Sequence, residues 1–492
     1  MEFDLKSRVR DRNQLEVTLI YSQDKYGQNV KRQQLDLDFF LFTPKHLGIT
    51  NELKKKRGKQ LFTNYMRLAS PLDASFQNCE LDYSERYLSL GSKMAEKDQI
   101  KKRVIYESKL FTSYLDHTFK DLLHKQECVK SLPDCYETLK IYRKKYVRPI
   151  NLLSSLSSTD IIDAFNFSDE YLSNRVMLLL LQLKISDEEK KQVLLAEVIY
   201  RQEYLKNAPK IDRNRDVEFY RVHLSRLKDY IFKSLFLRLK EIKTEKIYKN
   251  LFASIAAAFA AVFANLTRVE QFQGAQDFGL KFYTLFAIAV LAYVFKDRIK
   301  DYVKEYFNAW FKDRVPDREF KILYKSIPKQ GDLDEQVLGK VKEYFKFNDL
   351  GAIPCEIKYL KQIIEREDRS VKAESSVIHY RKRIEIDPGS SKGTRQANPG
   401  FIDQFLINTN DFLPHLGDPN KSFIIPDENG QSRSVETSKS YYFDLLLRIS
   451  VQDAKGSRKE RLEAIRLVVN KLGILRMKDL VPEKKFLYEV NY

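Results

Sequence analysis

The chain has 492 residues, with 86 Lys and Arg against 68 Asp and Glu, for a formal net charge of +18. Hydrophobic residues at 43% and charged residues at 31% describe ordinary globular material, and only 16 Gly and 14 Pro exclude a collagen-like or low-complexity chain. Four cysteines exclude a disulfide scaffold and suit a reducing compartment. A mean hydropathy of −0.46 excludes a polytopic transporter, although an average conceals any single apolar stretch.

Met1-Glu2-Phe3-Asp4 opens with no basic region, apolar region or cleavage site, and Glu2 stands where myristoylation needs glycine. The expectation is a cytosolic N-terminus. Within 1–80, Leu15–Tyr21 (LEVTLIY) and Leu35–Phe42 (LDLDFFLF) have strand composition with polar residues and Gly27 between them, which predicts a β-hairpin. The region 81–213 reads as helices. Tyr83–Gln126 is long and helix-compatible, Val176–Leu183 suits a core helix, and Ser186 with Glu189 forms a capping box. His117, His124, Cys128 and Cys135 lie close in sequence. Pro133 breaks the helical spacing before Cys135 and no second ligand pair exists, so they read as core or surface residues and no metal is expected. Lys54–Arg57 and Arg143–Lys145 with Arg148 are dense basic clusters.

Between 214 and 315 the apolar positions Tyr220, Leu224, Leu227, Ile231, Leu235, Leu239 and Ile242 recur at helical spacing. No Pro or Gly intervenes from Asn214 to Leu266, so one helix is predicted to run into an apolar segment. Leu251–Leu266 and Phe282–Phe295 carry no charge and predict two membrane spans at about 247–266 and 278–295. Lys240, Lys243, Lys246 and Lys249 precede the first, and Lys296, Arg298 and Lys300 follow the second. The positive-inside rule then puts both termini in the cytosol, at an inner or plasma membrane whose anionic lipid head groups face those basic residues. Ala253, Ala257 and Ala261 form one line of small residues and Ala256, Ala260 and Ala264 another, with Asn265 able to hydrogen-bond between helices. Their expected partners are the second helix of the lipid-embedded hairpin and a second copy of the chain in a homo-oligomer.

The region 316–492 reads as an α+β cytosolic domain. Val377–Ile386, Tyr442–Val451, Phe401–Ile407 and Ser422–Ile425 have strand character. Lys340–Phe347, Pro354–Arg366 and Arg458–Leu472 are predicted helices, the last ended by Gly473 as a left-handed cap. Gly389–Thr394 departs from a phosphate-binding loop because Lys392 precedes Gly393. His379 with Asp387, and His415 with Asp411 and Asp418, resemble acid–base pairs but lack a nucleophile, so no catalytic residue and no cofactor is expected.

The resulting expectation is a mainly α membrane protein with a two-helix transmembrane hairpin, an N-terminal β-hairpin and helical cytosolic region, and a C-terminal α+β domain. Its expected function is that of an anchored, non-enzymatic scaffold or sensor with an unspecified cytosolic partner. A pore-forming effector, and an anchored enzyme or nucleic-acid-binding protein using the C-terminal domain, are the alternatives.

Overall fold

The computed structural model describes residues 2–22, 33–47, 61–69, 94–124, 132–148, 159–182, 187–205, 216–242, 316–326, 333–347, 351, 353–367, 375–386, 400–417, 420–426, 432–452, 458–480 and 487–490, with scattered positions between 250 and 306. About half of this is strand. The strands of the first part of the chain are β1 (Glu2–Asp11), β2 (Gln14–Ser22), β3 (Gln33–Pro44), β4 (Phe62–Leu68) and β5 (Arg238–Ile242). Those that follow are β6 (Arg318–Ser326), β7 (Asp334–Phe347), β8 (Ser375–Ile386), β9 (Phe401–Asn408), β10 (Asn420–Pro426), β11 (Ser432–Ser438), β12 (Tyr441–Gln452), β13 (Arg458–Asn470), β14 (Gly473–Asp479) and β15 (Leu487–Val490).

Two antiparallel sheets dominate. A nine-stranded sheet runs β14-β13-β12-β3-β8-β7-β6-β5, with β15 also on β13, and a four-stranded sheet runs β1-β2-β9-β4. Strands from the first 70 residues and from the last 180 therefore build the same sheets. The period-two pattern explains how they stack. Leu15, Val17, Leu19 and Tyr21 of β2 and Leu35, Leu37, Phe39 and Leu41 of β3 are buried in one core. Across it the Phe39 ring lies 4.6 Å from that of Phe405 on β9, and Phe62 on β4 lies 4.7 Å from Tyr380 on β8. These contacts join two sheets face to face, as in a β-sandwich.

Helices α1 (Met94–His124), α2 (Leu132–Tyr142, continued by a π-turn to Val147), α3 (Thr159–Gln182), α4 (Asp187–Tyr204) and α5 (Asp216–Phe232) pack beside the sandwich and share its core through Phe119, Phe165, Leu172 and Ile231. A sixth helix, α6 (Cys355–Glu367), lies on the opposite face of the large sheet. Its Ile357, Leu360 and Ile364, with Ile353 ahead of it, meet Phe40, Phe42, Val377, Leu446 and Ala464.

This architecture corrects the mainly α, two-span reading. Among the described residues no helix is long and apolar enough to cross a membrane. The helix expected to run from 214 to 266 ends at Phe232. A 3-10 turn, Lys233–Leu235, then leads into extended backbone at Phe236 (φ −68°, ψ 130°) and into β5. The alternating Arg-Leu-Lys-Glu-Ile of β5 satisfies its backbone on β6, with Ile242 opposite Glu319. Residues 243–317 thus leave and return at one edge of the large sheet. Most of the proposed spans lie outside the described residues. The positions that are described between 250 and 306 are helical, and Leu251, Val262, Tyr302 and Tyr306 among them are exposed. The transmembrane hairpin and the membrane location built on it are not supported.

Two further predicted helices are strands. Lys340–Phe347 belongs to β7, where Val341 and Glu343 are buried and Lys340 is exposed, a period of two. Arg458–Leu472 is mostly β13, paired with β12 from Arg458 to Val469. There, burial of Ala464–Val469 outweighs the helix propensity of its Arg, Glu and Leu. Gly473 does have a positive φ, 126°, but in the β13–β14 turn rather than at a helix end. The two N-terminal strands exist but do not pair with each other: β2 pairs β1 and β9, and β3 pairs β8 and β12. The predicted Pro354–Arg366 helix is present as α6.

Candidate anion-binding surface

Among the described residues, the face of the large sheet that carries α6 is covered only in part. Helix α6 sits over β3, β8, β12 and β13 at the Phe42 end. Over β5, β6 and β7 the same face presents a row of three lysines. Lys240 stands directly opposite Lys321, and Lys321 directly opposite Lys340. All three are exposed. Neighbouring strands lie about 4.8 Å apart, so the three ammonium groups hang from one narrow ladder. Like charges directly opposite each other destabilise a sheet. Glu385, opposite Lys340, directs its carboxylate to Lys342 at 2.8 Å instead.

In the adjacent row Lys342 stands between Glu319 and Arg383, and both cations are ion-paired, Lys342 with Glu385 and Arg383 with Asp36 at 2.7 Å on β3. In the next row Tyr344 stands opposite Arg381. Lys342, Arg381 and Arg383 all lie within electrostatic reach of its ring hydroxyl.

Asp38 marks the boundary between the open and covered parts of the face. It is 2% exposed and lies opposite Arg381 on one side and Arg448 on the other. Arg381 Nε donates to Oδ1 at 2.7 Å, Arg448 Nη2 donates to Oδ2 at 2.8 Å, and His379 Nε2 lies 2.8 Å from Oδ1. Burial alone would raise its pKa, but the His379 hydrogen bond and the two guanidinium charges hold it well below the usual carboxylate range. The His379 ring stacks on Phe40 at 4.3 Å. Nearby, Asp444 is bridged by Arg466 at 2.6 Å and by Lys361 of α6 at 2.6 Å, which pins the helix to the sheet.

Two other ionic centres lie in the helical region. Arg143 donates from Nε to Asp169 at 2.7 Å and in a fork to both oxygens of Glu197 at 2.8 Å, and its guanidinium stacks 3.7 Å over Tyr200. Tyr136, Ser173 and Tyr200 satisfy further carboxylate oxygens. This closed network joins α2, α3 and α4. Burial pushes the Asp169 carboxyl up, whereas the Arg143 fork outweighs burial and holds Glu197 low. The second centre is Asp116, fully buried and ion-paired with Lys120 and with Arg175, at 2.5 Å each. Arg67 and Lys228 act on the same group of charges, and burial lowers the pKa of both, aided at Lys228 by Lys120 and Arg67. Lys120, Arg175 and Lys228 thus gather around one carboxylate.

Of the residues singled out in the sequence, Lys240 belongs to the lysine row. Arg298, Ala257 and Ala261 are helical and exposed, and Ala253 is half-buried. Ala256, Ala260, Ala264, Asn265, Lys243, Lys246, Lys249, Lys296 and Lys300 lie outside the described residues. His379 has Asp38 as its carboxylate, 341 positions away, where the sequence suggested Asp387, which is outside the described residues. His117 sits on α1, and the side chains of His124, Cys128 and Cys135 are outside the described residues. The sequence does not single out Lys321 or Lys340; for Lys340 the available signal is the alternation of Lys with apolar residues in Lys340-Val-Lys-Glu-Tyr-Phe-Lys-Phe347. The chain matches no protein-family model, no curated protein and no solved structure.

Proposed function

We propose that the protein is a nucleic-acid-binding protein that holds a single-stranded backbone on the open face of its large sheet. The supporting observation is the exposed Lys240–Lys321–Lys340 row, a register that costs folding stability and that a bound polyanion turns into favourable contacts. Over β5, β6 and β7 the described residues place no helix on this face that could enter a duplex groove. With cations along it and the Tyr344 ring two rows away on β7, it offers phosphate contacts and a stacking surface. The net charge of +18 favours the encounter.

Fluorescence anisotropy with a labelled single-stranded oligonucleotide tests this. Replacing Lys240, Lys321 and Lys340 together by Gln is expected to weaken binding more than tenfold. It should also flatten the dependence of log affinity on log salt by about 2, at ~0.7 per phosphate contact. Unchanged affinity and slope in the triple variant would overturn the reading. So would binding of the wild-type protein through these lysines to phosphatidylserine vesicles but not to the oligonucleotide.

A further inference from the structure

We propose that Lys382 and Asp403 become joined by an isopeptide bond that the folded core forms by itself, with Glu343 as proton carrier. Lys382 is fully buried between the two sheets, and its Nζ lies 2.6 Å from Asp403 Oδ2. Lys382 is on β8 of the large sheet and Asp403 on β9 of the small one, so the bond would staple the sandwich together. Glu343 stands directly opposite Lys382 on the neighbouring strand. It is held there by the Tyr380 hydroxyl at 2.9 Å and the Asn64 amide at 3.4 Å. The Phe405 ring lies 4.9 Å from the ammonium nitrogen and closes the site with aromatic surface.

Such a setting turns an ion pair towards condensation. Burial pushes the carboxyl groups of both Asp403 and Glu343 up, which favours a proton on each. Transfer of one ammonium proton to Asp403 across the 2.6 Å contact leaves a neutral amine beside a carboxylic acid. The amine lone pair attacks Asp403 Cγ, and the C–N bond forms. Glu343 delivers its proton to the departing hydroxyl and takes the second proton from the nitrogen, the C–O bond breaks and water leaves, with Glu343 returned to its starting state. Amine and carboxylic acid give amide and water, so no oxidant or co-reactant is needed. The enforced contact supplies the proximity that drives such intramolecular reactions.

A second observation agrees. Asp403 Oδ1 and the Tyr21 hydroxyl are both buried without a hydrogen-bond partner among the described residues. They lie within electrostatic reach of each other. A bare buried carboxylate oxygen is costly, and a neutral amide carbonyl far less so.

The test is the intact mass of the purified full-length chain under denaturing conditions, followed by peptide mapping. The expected result is a mass one water below that of the sequence, and a branched peptide containing positions 382 and 403. Asp403→Asn should reach the same final mass by losing ammonia. Lys382→Met and Glu343→Gln, if folded by circular dichroism, should keep their full sequence masses. A folded wild-type chain at its full sequence mass, with no branched peptide, would overturn the proposal. Water loss in Glu343→Gln at the wild-type level would overturn the role given to Glu343.

Discussion

At Asp38 one buried carboxylate meets two guanidinium groups and an imidazole contributed by the two strands on either side. Removing it leaves Arg448 and His379 largely buried without their counter-charge. Asp38→Ala is therefore expected to lower the unfolding free energy by about 3 kcal/mol, measured by urea denaturation at neutral pH. The pH dependence has a fixed sign. The folded pKa lies below the unfolded value of 3.8, so the stabilisation is full above about 4 and is lost as the pH falls through the folded value. The gap between wild type and variant should narrow in that acid window. Lys109 behaves in the opposite sense. Its ammonium lies 3.4 Å over the Tyr230 ring, and burial, with Lys233 and Lys325 nearby, lowers its pKa from 10.5 to about 8. The unfolded chain holds more protons between those values, so stability rises with pH from about 8 to 10.5. Lys109→Met should raise the melting midpoint at pH 7 and remove that alkaline rise. Sequence alone marked His379 as a titratable group but could not supply Asp38, because only the β3–β8 pairing brings them together. Lys382, Asp403 and Glu343 gave no local signal at all, since each sits singly in a strand and their meeting depends on two sheets stacking.

At the level of elements, the large sheet depends on close approaches that a side chain would block. A Cβ at Gly339 on β7 would lie 2.2 Å from the Glu385 carbonyl oxygen on β8, so the strands must part to admit it. Gly339→Ala is expected to cost about 2 kcal/mol in chemical denaturation, and to weaken anion binding because Lys340 is the next residue. Helix α6 is held by its buried stripe, and Ile357 in its first turn is fully buried. Ile357→Ala should lower stability by about 3 kcal/mol in the same assay. The α6 stripe was legible because its Ile and Leu recur at helical spacing on a face bounded by charge. Both β7 and β13 were misread. Their Lys, Glu, Arg and Leu favour helix locally, and what makes them strands is the long pairings with β6 and β8, and with β12 and β14. Charge misled in the same way at β5. Lys240 and its basic neighbours read as the flank of a span, yet the residue lies in a ladder with Lys321 and Lys340, whose sequence positions are far away.

For the whole molecule, the two ends of the chain are interleaved. β3 lies between β8 and β12, and β9 between β2 and β4, so neither end can complete its sheet without the other. That interleaving was invisible to a reading that looks for composition shifts along the chain. The net positive charge was visible, and the fold gathers part of it on one face of one sheet. Lysine reactivity footprinting by mass spectrometry, with and without a single-stranded oligonucleotide, tests the proposed binding face directly. Lys240, Lys321 and Lys340 are expected to lose reactivity together when the oligonucleotide is added, while the exposed Lys191 on α4 stays unchanged. Protection centred instead on Lys120 and Lys228, or no selective protection of the row, would contradict it.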